Sequence, residues 1–412
     1  MRYFLVLLMF LLSMLLYIDR SCISVAKTDI AETLQLTDLQ MGWVFSSFAL
    51  GYALFQTPGG YLADKFGPRI ILSSVVTFWS IFTGLTAAAW NYSSMLLVRF
   101  LFGAGEAGAF PNMARAIYSW IPMKERGRVQ GINFSASRIG AALTMPAIAW
   151  LISMVGWQYC FVILALVGVV WSLFFYFFFR DEPSEHSLIS ETELQYILDN
   201  RQQQSTTSET LSLGALTSSI NMWLAMAQYF CSNFTFFFCL TWLFPYLKTK
   251  YNLDAVDAGF YASAPLLAGA LGNWTSGWMV DAIYKRGHWA LSRRVPAIIG
   301  FLLAAIGLAI SVYMDSALYS VIFLSIAIFG ADMTLSPSWS LCIDIGRKHA
   351  GTVSGTMNMA GNIGSFLTAL AFPYLQDWTA SATPFFFVGA GLNLLAILLW
   401  LAVKPDRPLE EY

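Results

Sequence analysis

Apolar runs of about twenty residues recur along the chain, cut by short charged or Pro/Gly-rich breaks. One set covers 3–25, 41–61, 70–90, 93–119, 129–153 and 158–179; a second covers 221–247, 257–280, 295–314, 317–342, 351–375 and 382–403. A helix needs roughly 20 apolar residues to cross the hydrocarbon core. The pattern therefore predicts an all-α membrane protein of about twelve transmembrane helices, arranged as two six-helix bundles. The expected divisions are an N-terminal bundle over 1–180, a cytoplasmic linker over 181–219, and a C-terminal bundle with a short cytoplasmic tail over 220–412.

The linker contains QQQSTTSET, a composition that cannot bury a core of its own. Within it, SETELQYIL places Ser190 three residues before Glu193, a capping-box spacing that predicts one short surface helix. The apolar run after Met1 and Arg2 carries Tyr17, Asp19 and Arg20 and no small-residue cleavage site, so a retained first helix is expected rather than a signal peptide.

Charge adds orientation. With the N-terminus inside, the tails and cytoplasmic loops hold 16 of the 23 Lys and Arg residues, and the external loops hold three. That bias satisfies the positive-inside rule with both termini in the cytoplasm. The composition agrees, at 57% hydrophobic and 11% charged. A formal net charge of -1 gives no reason to expect nucleic acid as a partner. The five cysteines show no metal-ligand spacing and read as small core residues.

The two halves repeat each other directly, as in parallel-repeat transporters. GYLADKFGPR aligns with GWMVDAIYKR, pairing Gly60 with Gly277, Asp64 with Asp281 and Arg69 with Arg286; Gly67 sits in the first of these tight basic loops. GRVQGINFSASRIGAAL, from Gly127, aligns with GTVSGTMNMAGNIGSFL, from Gly351, with seven identities in seventeen positions. Both of these segments start at a cytoplasmic loop and open a helix.

Ionisable residues inside predicted spans cost roughly 2.5–3.5 kcal/mol each at the bilayer centre, so they mark function by default. Tyr17 and Arg20 share a face of the first helix, with Asp19 beside them. In the fourth, Arg99 and Glu106 lie seven apart on one face, among Gly103, Gly105 and Gly108. They read either as a carboxylate that takes and releases a proton or as a permanent salt bridge. Arg115, near the inner end, is expected to snorkel to the cytoplasmic surface. Arg138, mid-helix, must meet a carboxylate, from Asp332 or from a substrate. Asp332, Ser336 and Trp339 form one face of the tenth helix. Ser354, Asn358, Asn362 and Ser365 form a polar stripe on the eleventh, either a cavity wall or a helix-to-helix bonding face, and Tyr52 and Gln56 do the same on the second. No phosphate loop, zinc signature or nucleophile elbow occurs, which argues against an enzyme.

GYLADKFGPR together with RFLFGAGEAG resembles the major facilitator superfamily over essentially the whole chain. YIDR, the Arg99-to-Glu106 spacing followed by AFP, and SGTMNMAGNIG look like its anion:cation symporters. These include bacterial galactonate, glucarate and hexuronate importers and, more distantly, vesicular glutamate transporters and sialin. The resemblance implies proton-coupled import of a small organic anion, most of all a sugar acid, with the proton as coupling ion and no other cofactor. It implies that Arg20 grips the substrate carboxylate while Asp19 and Glu106 exchange protons, and that Arg99 pairs with Glu106. It further implies that Tyr17, Tyr52, Ser336, Trp339 and Asn358 line the cavity, and Asn362 of the same polar stripe is a further substrate-binding candidate. Sugar-acid members carry a substrate-contacting glutamine where this chain reads Ser137 and Arg138, so substrate identity stays open at that point. A monomer in the lipid bilayer of a bacterial inner membrane is expected. A drug/proton antiporter on the same fold and a non-transporting sensor are the rival readings.

Overall fold

Several helix boundaries have a local chemical cause. A reciprocal capping box starts the helix at Asp38: Gln40 N donates to Thr37 Oγ1 (3.3 Å) and Thr37 N donates to Gln40 Oε1 (2.8 Å). Asn91 and Ser94 do the same for the helix at Tyr92, with Ser94 N donating to Asn91 Oδ1 at 2.8 Å. Pro68 takes the first position of its helix, where a missing N–H costs nothing. Gly67, just before it, adopts φ +82°, and a Cβ there would collide with Asp181. Arg69 closes the same corner, donating from Nε to the Tyr176 carbonyl at 2.9 Å.

The computed structural model describes residues 1–201, 213–253, 255–407 and 409. The tract QQQSTTSET lies outside the described residues. Among the described residues the chain is helical, with no strand. Six stretches are long and apolar enough to cross a membrane: Arg2–Ile23, Pro68–Thr86, Trp150–Phe178, Trp289–Ser311, Ala317–Thr368 and Thr383–Ala402. Large apolar side chains such as Phe177, Leu166 and Trp278 are exposed along the helices, a surface suited to acyl chains rather than water.

The chain divides into two units. The first comprises Met1–Met123, Ile139–Thr210 and Gly346–Met359. It holds α1 (Arg2–Val25), α2 (Lys27–Leu34), α3 (Asp38–Phe66), α4 (Pro68–Thr86), α5 (Tyr92–Glu106), α6 (Ala109–Trp120), most of α7 (Arg126–Phe178) and α8 (Glu191–Asn200). The fourth predicted span is thus two helices, parted at Ala107 and Gly108. The fifth and sixth run together as α7 with a kink at Gly156, whose φ of 81° only glycine adopts readily. Cys22, Ile23, Met41, Val44, Trp157 and Phe161 make an apolar core in this unit.

The predicted surface helix is α8, begun by Ser190, whose hydroxyl accepts from Glu193 N at 3.2 Å. Glu193 does not complete the box. Its carboxylate accepts instead from the Met1 ammonium (2.6 Å) and from Arg2 N (3.0 Å), docking α8 on the start of α1.

The second unit comprises Lys124–Arg138, Leu211–Ile345 and Ala360–Tyr412. It holds α9 (Leu213–Ser218), α10 (Ile220–Thr241), α11 (Leu243–Lys250), α12 (Ala255–Lys285), α13 (Trp289–Ser311), α14 (Ala317–Met333), α15 (Leu335–Gly346), most of α16 (Ala350–Thr379) and α17 (Thr383–Ala402). Phe238 anchors an aromatic core there, with ring centroids 5.1–5.2 Å from Phe372, Phe385 and Phe386. The tenth predicted span breaks at Thr334, whose hydroxyl donates back to the Ala331 carbonyl (2.6 Å).

The units cross the halves read from the sequence at two matching places. The first turns of α7 belong to the second unit, and the first turns of α16 belong to the first. These are the two segments that the internal repeat aligns.

Candidate functional site

The repeat explains how the crossing segments are held. In the first unit, Asp64 at the end of α3 accepts from Gly351 N (2.9 Å) and Thr352 N (2.7 Å), the first free amides of α16. In the second, Asp281 at the end of α12 accepts from Gly127 N and Arg128 N, both at 3.0 Å, the first free amides of α7. A carboxylate on a helix N-terminus satisfies orphan donors and complements the helix dipole. Gly60 permits the approach in the first case, because a Cβ there would strike the Gly351 carbonyl. Arg115 is 15% exposed; its Nη1 donates to Ser119 Oγ (2.8 Å) and its Nε lies 3.9 Å from Asp64.

The candidate anion-binding chemistry of the first unit gathers at α1 and α5. Arg20 Nε donates to Glu106 Oε2 at 2.8 Å; Arg20 is 19% exposed and Glu106 fully buried. The guanidinium lies over the rings of Tyr52 (4.2 Å), Tyr17 (5.1 Å) and Phe48 (5.4 Å). Asp19, beside it, is buried and accepts from Trp79 Nε1 of α4 at 3.1 Å.

The expected pairing of Arg99 with Glu106 does not occur. Seven residues along a helix are about 10.5 Å apart at 1.5 Å per residue, so a shared face does not bring the two heads together. Helix α1 supplies the nearer cation, Arg20. Arg99 is 2% exposed, stacked over Phe102 (4.2 Å) and Phe48 (5.4 Å), and its Nε and Nη1 have no hydrogen-bond partner. Asp19 Oδ1, Arg20 Nη2, Ser80 Oγ and Glu106 Oε1 are likewise buried and unpartnered. This cluster of Arg20, Arg99, Asp19 and Glu106 therefore holds two arginines and two carboxylates with one direct ion pair, Arg20–Glu106, and spare donors and acceptors around it. Such a cluster can rearrange its pairing when a proton or an anion enters.

Gln56 and Asn358 meet in this unit, Asn358 Nδ2 donating to Gln56 Oε1 at 2.7 Å. The polar stripe on α16 is thus divided. Ser354 and Ser365 return to carbonyls of their own helix, at 2.6 Å and 3.4 Å, while Asn358 bonds across to α3. Asn362, one turn on, is half-buried in the second unit.

In the second unit, Arg138 and Asp332 form a bidentate pair: Nε to Oδ2 at 2.7 Å and Nη2 to Oδ1 at 2.6 Å, with 3% and 1% of the side chains exposed. The guanidinium packs 3.6 Å from the Phe236 ring centroid. The protein carboxylate is thus the one Arg138 meets in this structure. Trp339 Nε1 donates to Tyr229 Oη (2.9 Å), and Ser336 Oγ is buried without a partner.

Sequence reasoning missed Trp79, Phe48, Phe236 and Tyr229. Each is one aromatic among many in a chain that is 16% aromatic, and no spacing marks it.

The model of the Major Facilitator Superfamily matches residues 9–369. The chain belongs to the major facilitator superfamily. Members of this superfamily are integral membrane transporters, not enzymes. The chain is 36% identical to the probable sulfoacetate transporter SauU of Cupriavidus necator, over 98% of this chain and 95% of that one. It is 33% identical to the probable galactarate/D-glucarate transporter GudP of Bacillus subtilis, over 98% and 92%. Among solved structures, the major facilitator proton:xylose symporter XylE aligns with a TM-score of 0.79 at 16% identity, covering 100% of this chain and 98% of that chain, a likeness of fold.

Proposed function

We propose that this member of the superfamily is a proton-coupled importer of a small organic anion, a sugar acid or a comparably small carboxylate or sulfonate. It would act from the bacterial inner membrane, with twelve helices crossing the bilayer and both termini inside. The observation that carries the reading is the Arg20–Glu106 pair, 19% exposed on the arginine side and ringed by Tyr17, Phe48 and Tyr52. A guanidinium joined to Glu106 by one hydrogen bond, with Nη2 unpartnered, is ready to take a carboxylate or sulfonate. Protonation of Glu106 would release Arg20 to the substrate, tying proton entry to anion entry. Asp19, held by Trp79, is the second proton carrier. The relatives support an acid as cargo: sulfoacetate, galactarate and D-glucarate each carry two acidic groups.

Alternating exposure of the bound acid to the two sides would complete the cycle. Two carriers allow two protons per monoanion, moving one net charge. That charge is worth about 2.3 kcal/mol per 100 mV, some fiftyfold in accumulation. The test is uptake into proteoliposomes of labelled sulfoacetate, galactarate, galactonate and a hexuronate, with and without an imposed inward proton gradient. Gradient-stimulated uptake of at least one acid is expected. If no acid moves while the reconstituted protein remains folded, the reading fails, and drug/proton antiport comes to the front.

A further inference from the structure

The cysteines of this chain are buried, and two of them touch. Cys22 of α1 and Cys160 of α7 lie 138 residues apart in sequence, yet their sulfurs are 3.9 Å from each other, both fully buried within the first unit. A pocket of about 640 Å³ opens beside them in the same unit, with Val25, Asp29, Glu32, Gly156 and Trp157 in its wall. Val25 lies three residues after Cys22 and Trp157 three residues before Cys160, so each stands one helical turn from a thiol on the same face. Three residues rise about 4.5 Å, so roughly one turn of each helix separates the pocket from the sulfurs. Trp157 Nε1 donates to Thr33 Oγ1 at 3.2 Å, holding α2 against this corner, and the exposed Asp29 and Glu32 give the pocket a negative mouth. On its other side the pair borders the charged cluster: Asp19, one turn back on α1, and Arg99 both act electrostatically on Cys22.

We propose that Cys22 and Cys160 form a redox modification site, which takes a small neutral hydroperoxide from the pocket and closes to a disulfide between α1 and α7. One thiol attacks a peroxide oxygen; the O–O bond breaks, water leaves and a sulfenic acid forms. The second thiol attacks that sulfur, the S–S bond forms and a second water leaves. The two thiols lose two electrons, the peroxide gains them, and both thiol protons end in water. Contact between the sulfurs is what makes the second step fast, because the resolving thiol is already beside the first. The negative mouth repels anionic oxidants such as oxidised glutathione, and the cover of one turn favours a small one. On the reading that places both termini inside, the end of α1 faces the outer compartment, the oxidising side of a bacterial inner membrane. The new bond ties α1 to α7 three residues from Asp19 and two from Arg20. Oxidation therefore pins the segment that carries both residues and stops the rearrangement of their cluster that transport needs.

The effect on uptake rests on the reading of the chain as an acid transporter; the disulfide itself does not. The experiment treats the full chain in proteoliposomes with hydrogen peroxide, then denatures it, caps the remaining thiols with N-ethylmaleimide and maps the peptides by mass spectrometry. Uptake of labelled sulfoacetate and galactarate is followed in the same samples. The expected result is a cross-linked Cys22–Cys160 peptide, with Cys231, Cys239 and Cys342 still capped as thiols. Uptake should be lost in proportion to the cross-linked fraction and return on reduction with dithiothreitol. Cys22→Ala and Cys160→Ala should each transport as wild type does and keep that rate in peroxide. Capping of both Cys22 and Cys160 after peroxide treatment, a cross-link that leaves uptake unchanged, or equal inhibition of the two variants and wild type would each overturn the proposal. The peptide map of the wild-type chain decides whether the disulfide forms even if neither variant folds. Transport of no acid by the untreated wild-type chain would instead sink the transport reading, and the map would still judge the site.

Discussion

The two buried ion pairs are built differently. Arg20 and Glu106 share one hydrogen bond of 2.8 Å, and unpartnered atoms remain on both residues as well as on Asp19 and Arg99. Arg138 and Asp332 share two bonds of 2.6 and 2.7 Å and close on each other. Breaking a buried pair from one side strands the other charge at a cost of about 3–5 kcal/mol, whereas removing both can be nearly neutral. The first pair consequently has spare atoms with which to change partners, whereas in the second the two residues have their hydrogen bonds to each other already made. The contrast teaches that in one chain a buried arginine–carboxylate pair can be open to rearrangement or closed on itself, according to how many of its hydrogen bonds are already made.

The largest effect is expected where a spare donor meets the substrate. Arg20→Ala should reduce uptake of every transported acid at least a hundredfold, and Arg20→Lys should recover only part of it, since a point charge cannot form the fork; initial rates of labelled-acid uptake decide this. Next comes stability at the closed pair. Asp332→Asn alone should cost about 3–5 kcal/mol, read as a lowered thermal midpoint in detergent, and R138M/D332L should restore most of the loss. An unaltered midpoint in Asp332→Asn would mean that the pair is not buried as described. A smaller change is expected from Trp79→Phe, which removes one hydrogen bond to Asp19 while keeping the ring, worth about 1.5–3 kcal/mol for a charged acceptor. The pH at which uptake is half-maximal should shift upward, because the bond favours the ionised carboxylate; an unmoved profile would remove Asp19 from proton coupling.

The smallest effect concerns the strap at α8. Burial raises the Glu193 carboxyl, but hydrogen bonds from the chain's N-terminal ammonium and Arg2 outweigh it and hold the group below its ordinary value. A depressed carboxyl contributes stability that is full above the unfolded value and lost as pH falls through the folded one. Glu193→Gln should lower the thermal midpoint by a few degrees at neutral pH, and the difference from wild type should shrink below about pH 4.

Much of this was legible in the chain. Helix-length apolar runs marked the spans, because a membrane leaves few alternatives to a continuous helix. The repeat marked Asp64 and Asp281 as equivalent, and the structure gives them the same task on the two crossing helices. Which arginine meets which carboxylate was not legible. Spacing along one helix favoured Arg99 for Glu106, but side-chain reach across helices decides, and Arg20 is closer. Trp79 and Phe236 were invisible for a related reason: an aromatic donor or stacking plate is defined by the residue it faces, and that residue lies on another helix.

The central claim, that Glu106 couples proton entry to anion binding at Arg20, is tested most directly by comparing Glu106→Gln with wild type in two assays on the same proteoliposomes. Counterflow of the acid needs binding and exposure to both sides but no net proton movement; accumulation against a gradient needs coupling. The account predicts that Glu106→Gln keeps counterflow within about threefold of wild type while gradient-driven accumulation is lost. Accumulation preserved at wild-type levels would contradict it.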